Sequence, residues 1–295
     1  GTASQQLNST GANNTSVGSG ALYKNTGANQ NTGIGGDAGY WTTGADNTYV
    51  GYQAGSGASG AEANNVGVGS NALLAVTTGS HNVAVGAISL DALTVGGSNV
   101  ALGYSALSSV AVGESSNIAI GESAMTSADE GTAGGDIDMN IAIGVNAFTC
   151  GDLAGNDRQV QGNIAIGANA VNSTSANAQT GTIGIGHNAL TALESGIQNT
   201  AVGYHALYAE VAGDYSTAIG YAALTSQTGT DGSVHNTAVG ANSLGGTTTG
   251  THNIGVGSNA LLTASTALRN TAIGFNAMTD TKAGIAVADC VAIGY

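Results

Sequence analysis

Asn199-Thr200-Ala201-Val202-Gly203-Tyr204-His205-Ala206-Leu207 is one copy of a phrase that returns along the whole chain. Asn82-Val83-Ala84-Val85-Gly86 and Asn140-Ile141-Ala142-Ile143-Gly144 are two others. Its glycine falls at sixteen positions, among them 18, 35, 51, 186, 203, 220 and 294, in steps mostly of 16 to 18 residues. Two steps of 23 and three of 19 or 20 interrupt the rhythm. A fixed period of this length describes similar units stacked on one another, each touching its neighbours. The expected fold is therefore all-β: a parallel β-roll or β-solenoid of about 16 coils of roughly 17 residues, with 1–13 as a lead-in and 14–295 as the repeat domain. Because the chain stops in mid-repeat at Tyr295, the roll is expected to continue beyond it.

Within the phrase, position four is Ile or Val in fifteen copies and Leu102 in the other, and position two is always Thr, Val or Ile. Residues two apart share one face of a strand, so these β-branched columns are expected to point into the coil. Position three is Ala, Gly or Ser except at Tyr49. Residues this small suggest an outer face covered by another backbone. With so thin an apolar core, that face argues for several copies packed side by side. A trimer is preferred, although the arithmetic admits a dimer or a hexamer. The glycine ends the strand where only it adopts φ > 0 without cost.

Asn opens 13 of the 16 copies, replaced by Thr182, Ser216 and Cys290. Amides stacked along the axis form a ladder, expected to run through Asn82, Asn99, Asn117, Asn140 and Asn163. This reading is structural rather than catalytic.

Composition excludes several functions. The chain has 49 Gly, no Pro and a formal charge of −14, with four cations against 18 acids. So few cations cannot neutralise phosphates, which argues against nucleic-acid binding and against anionic membranes. No apolar run is long enough to insert into a bilayer. Cys150 and Cys290 lie about eight coils, or roughly 40 Å, apart, too far for an intrachain disulfide. Gly67 to Ala72, Gly184 to Ala189 and Gly255 to Ala260 match a dinucleotide-binding pattern, but each is an ordinary repeat with no helix to follow. No nucleophile elbow, P-loop or metalloprotease motif is present, and no enzyme activity or cofactor is expected.

Binding is sought in the two 23-residue coils, whose extra residues emerge as loops. The candidates are Asp129, Glu130, Asp136 and Asp138 in the first, and Asp152, Asp157 and Arg158 in the second. A solvated acidic loop is the ordinary reading. Adjacent carboxylates also leave Asp136 and Asp138 as a weak Ca²⁺ candidate, and no other metal site is expected. His235 and His252, each directly before a repeat Asn, are expected to stack on adjacent coils.

The phrase at Asn199 to Leu207, and closely at Asn270 to Met278, resembles the repeats of phage tail fibres. Ser216-Thr217-Ala218-Ile219-Gly220 is similar to the head repeat of trimeric autotransporter adhesins. The resemblance covers nearly the whole chain. It implies a homotrimer of left-handed rolls on an extracellular or virion appendage, presenting loops for attachment to a surface, a glycan by preference. An adhesin head is the alternative, and a polysaccharide-acting β-solenoid enzyme the remote one. The coils here are longer than the adhesin-head unit, and no neck or stalk is present, which favours a fibre.

Overall fold

The computed structural model describes residues 1–57, 60–109, 112–126, 136–149, 159–173, 179–229, 232–279 and 287–295. The chain divides into two units, 1–145 with 152–158, and 146–151 with 159–295. Each is a parallel β-solenoid with no helix among the described residues. In the first unit eight three-residue strands, from Thr15–Val17 to Ile141–Ile143, carry the phrase; in the second, eight run from Ile164–Ile166 to Val291–Ile293.

Neighbouring strands pair in parallel, phrase position against phrase position: Thr200 faces Thr217, Ala201 faces Ala218 and Val202 faces Ile219. The sequence register is thus the structural register. The Thr200 N–H donates to the Ser216 carbonyl at 2.8 Å, and the Gly220 N–H returns a bond to the Val202 carbonyl at 2.8 Å. Residues 1–13 join the same stack, with Gln5 N–H donating to the Ala21 carbonyl and Leu7 N–H to that of Tyr23.

The two faces of the strand are the reverse of the sequence expectation. Ala84, Ala101, Ala119, Ala142, Ala165, Ala201, Ala218, Ala238 and Ala272, all at position three, are fully buried. The β-branched columns point outward: Val17, Leu102, Ile219 and Ile273 are exposed by 57%, 46%, 41% and 40%. The cause is the width of the coil. Each coil folds its Ala-Leu corner back under its strand, burying Ala206 with Leu207 and Ala223 with Leu224. A Cβ added to Gly33 would lie 2.8 Å from Leu22 Cγ and 3.0 Å from the Ala38 carbonyl oxygen. Even a methyl is too large at Gly33, and in the copies with Ala at position three a methyl already fills the space, so an Ile is shut out and shape decides against hydrophobicity. The small residues therefore face the chain's own corner, not a partner.

Tyr49 tests this rule, being a ring at position three and fully buried. A Cβ on Gly39, on Gly55 or on Gly67, the last of these paired with Tyr49 in the adjacent coil, would fall 3.0, 2.2 or 3.1 Å from the Tyr49 ring. Three glycines make room for one phenol.

The corner turns sharply because alternate residues take the left-handed conformation. His205 and Leu207 have φ of 56° and 49°, and Asn188 and Leu190 of 56° and 53°. Asn tolerates this conformation well. Leu accepts its cost here in return for a buried side chain and an N–H bonded to the next coil, as in Leu207 to the Ala223 carbonyl at 3.0 Å.

The Asn column forms the expected ladder, with most of its bonds going to backbone. Asn253 Oδ1 accepts the Asn270 N–H at 3.0 Å, and its Nδ2 donates to the Ala267 carbonyl at 2.7 Å and to Asn236 Oδ1 at 3.2 Å. Each amide thus staples the turn of the next coil. Asn82, Asn99 and Asn117 repeat the pattern in the first unit, with Asn140 bonded to Asn117, while Asn163 donates to the Gln179 carbonyl in the second. Replacing buried Asn253 with Ala strands an N–H and a C=O, which costs roughly 2 kcal/mol. The expected result is a lowered urea midpoint together with faster amide exchange at Asn270. Unchanged exchange there would contradict the staple.

Candidate interaction surface

Four kinds of outward or polar feature could carry a function, two placed by the repeat and two by the variable stretches between its copies. The first is the face of each sheet. In the first unit it presents Thr15, Thr32, Thr48, Val66, Val83, Val100, Ile118 and Ile141 beside Val17, Ile34, Val50, Val68, Val85, Leu102, Ile120 and Ile143, all partly or largely exposed. The second unit presents the equivalent rows, including Thr200 with Val202 and Thr217 with Ile219. A row of apolar, β-branched side chains one strand spacing apart, about 4.8 Å, is an apolar patch that exceeds scattered surface residues.

The second feature is aromatic. Few rings enter the coil interior: among the described residues, Tyr49 and Phe148 are the large aromatic side chains that are fully buried. Most of the others stand outside, several in columns. Directly after the repeat glycine, His187, Tyr204 and Tyr221 stack with centroids 5.5 and 5.6 Å apart and interplanar angles of 25° and 5°. His205 lies 4.0 Å from Tyr204 and 4.5 Å from Tyr208. Its Nε2 is 3.1 Å from Asn188 Nδ2, and Asn169 Nδ2 donates to Asn188 Oδ1 at 3.2 Å. A second column directly precedes the first position of the phrase: Tyr215 and His235 stack at 4.9 Å, and His235 and His252 lie 5.1 Å apart on adjacent coils, as the spacing of the two histidines predicts. It continues into Arg269, whose Nε and a terminal guanidinium nitrogen pair with Asp289 at 2.7 and 2.8 Å in solvent. The hydrogen bond from Arg269 holds the Asp289 carboxyl below its ordinary range. A third group sets Tyr23 against Tyr40 at 4.9 Å, with Lys24 Nζ 5.0 Å from the centroid of the Trp41 ring.

The third feature is a set of buried carboxylates that the sequence reading did not single out. Glu210 is fully buried, and its Oε1 accepts N–H groups of Val211, Ala212, Gly213 and Gly229 at 2.6–3.0 Å. Gln227 links that carboxylate to Ser216 Oγ at 3.0 Å and accepts from Asn236 Nδ2 at 2.8 Å. The ladder lacks an amide at Ser216, and Gln227 fills the gap from inside the coil. Glu62 is also buried, and one of its carboxylate oxygens finds no hydrogen-bond partner. Burial pushes it up to about 7. Nothing in the phrase marks these sites, because they fall in the variable stretch between copies. A small polar cavity of about 100 Å³, lined by Gly229, Ser233 and Thr248 to Thr251 among others, opens near Glu210's neighbours.

The fourth is the acidic set of the long coils. Asp129, Glu130, Asp152, Asp157 and Arg158 lie outside the described residues. Asp136 opens the strand Asp136–Asp138, and the Asp138 carboxylate accepts the Ser115 N–H at 2.6 Å, which ties it to the neighbouring coil. Among the described residues no three His, Cys, Asp or Glu side chains gather to hold a metal. Cys290 is a free, exposed thiol, and Cys150 lies outside the described residues.

The fold and this surface define the class: a parallel β-solenoid with an Ala-Leu interior, an internal Asn ladder and an apolar outer face. Comparison with family models, with curated proteins and with solved structures finds no match to this chain.

Proposed function

We propose that the chain is a non-enzymatic structural and adhesive segment of a homotrimeric fibre, on an extracellular or virion surface, of the kind its phage tail-fibre-like repeat suggests. One observation carries this reading: the Val, Ile and Thr rows of the phrase lie on the outside. Water-exposed β-branched rows repeated coil after coil are costly for an isolated chain. Packing three copies with these faces together removes them from solvent. The contact between copies is thus assigned to the β-branched face, where the sequence alone had pointed to the small-residue face. A trimer also presents three copies of any surface site, so weak attachment adds through avidity.

Light scattering on the intact chain tests the assembly. The expected mass is about three times the 28.4 kDa of one chain. Lys at both Val202 and Ile219 puts like charges into the contact while leaving the coil interior untouched, so this variant should keep its β-sheet circular dichroism and run at the mass of one chain. A stable wild-type monomer would sink the proposal.

A further inference from the structure

We propose that the aromatic column His187–Tyr204–Tyr221 ends in a saccharide-binding face on Tyr221, which stacks one pyranose ring of a neutral glycan. In a stacked column each ring face is occupied by the next ring. Tyr204 stacks against His187, His205 and Tyr221, whereas Tyr221 stacks against Tyr204 alone. On the coil after Tyr221 the equivalent position is Ala241, and the residue beside Tyr221 is Ala222. Neither side chain can cover a phenol, so one face of Tyr221 has no ring against it, and the residue is 58% exposed against 45% for Tyr204.

An aromatic face carries partial negative charge and attracts weakly positive C–H groups. The axial C–H groups on one side of a pyranose ring have that character, and they are apolar enough to leave water for the contact. The hydroxyls around the sugar ring then require neutral hydrogen-bonding partners at the edge of the platform. Asn242 follows in the next coil, its N–H bonded to the Tyr221 carbonyl at 2.8 Å. Its Nδ2 lies 3.4 Å from Asn259 Oδ1, and Asn259 Nδ2 donates to Asn276 Oδ1 at 3.0 Å. This half-exposed amide row is ordered by its own hydrogen bonds, so little side-chain freedom is lost on binding. The platform itself is held by Tyr204 behind it, with His205 against Tyr204 and fixed by Asn188.

A second copy of the chain fits this column less well than a sugar does. The same position is Tyr52, Tyr104, Val145 or Phe275 in some coils but Ser19, Gly36, Ser70, Glu122 or Ser258 in others, so polar and small residues interrupt it and it is no continuous apolar seam. With few cations in the chain, the ligand is a neutral rather than an acidic glycan.

This inference rests on reading the chain as an attachment segment, and the mass measurement above tests assembly separately. The experiment is saturation-transfer NMR on the full chain with lactose, cellotetraose and maltotetraose at millimolar concentration. Irradiating aromatic protons should transfer magnetisation to pyranose C–H protons of at least one probe. Tyr221→Ala should weaken that binding at least tenfold, and Tyr221→Phe should retain it. Ala241→Tyr extends the column over the open face and should abolish binding with the oligomeric mass unchanged. The proposal is overturned if the wild type shows no transfer with any probe, or if Tyr221→Ala or Ala241→Tyr binds as well as the wild type. It is equally overturned if Tyr221→Ala lowers the oligomeric mass, which would place the ring in the contact between copies.

Discussion

Replacing Gly203 with Ala is expected to lower stability by about 4 kcal/mol or more, a loss reserved for severe backbone and packing defects. Two independent causes act at that one position. Its φ is 138°, a conformation essentially closed to residues with a Cβ and costing on the order of 1–3 kcal/mol. The added methyl would also lie 2.4 Å from the Gly220 carbonyl oxygen and 2.7 Å from its carbon. That neighbour is backbone, fixed by the Gly220 N–H bond to Val202, so it cannot swing aside. In a stack where each coil touches only its neighbours, opening this contact separates the array into shorter pieces. Gly36→Ala is the control: its φ is unexceptional, and the new methyl meets only the edge of the Tyr52 ring at 3.3 Å. Urea denaturation should show a large drop in midpoint for the first variant and a change within about 1 kcal/mol for the second. Similar midpoints for the two would refute the account of the glycine column.

The second large effect concerns Glu62 and pH. Burial raises its pKa from an ordinary 4.5 to about 7, in a coil where Tyr49 is likewise buried and kept protonated far above its usual range. A carboxyl raised on folding binds its proton more tightly in the folded chain than in the unfolded one. Its contribution is therefore fully present below about pH 4.5 and is lost as pH rises through about 7. The gap corresponds to roughly 3 kcal/mol. Stability of the first unit is expected to fall from pH 5 to pH 8, although most proteins have their greatest stability inside that interval. Glu62→Gln keeps the shape and removes the charge, so it should flatten most of the slope and be more stable than the wild type at pH 8. Urea midpoints measured across this range decide the matter: an unchanged slope in the Gln variant would clear Glu62 of the role.

Two of the structural columns were legible from residues alone because the repeat makes position in the phrase equal to position in the sheet. The Gly column and the Asn ladder needed only that equivalence. The aromatic column was equally present in the spacing, since 187, 204 and 221 differ by one period. It escaped notice because each ring occupies a position that varies from coil to coil. The sequence did contain a sign of which face lies inside. Tyr49 is paired with Gly67 in the adjacent coil, and such volume compensation is required only where space is shared and closed. The acidic candidates of the long coils remain outside the described residues, apart from the Asp136–Asp138 strand.

The period, the parallel in-register stacking, the strand-ending glycine and the Asn ladder followed from sequence by itself, because each rests on local geometry repeated at fixed spacing. Beyond the sign at Tyr49, tertiary structure decided which side of the strand is buried. That choice depends on how closely the Ala-Leu corner folds beneath the strand, a distance set by closure of the coil and written in no single phrase. Since only a methyl fits, hydrophobic Val and Ile go outward, and the surface available to a partner is the one that hydrophobicity alone would have hidden.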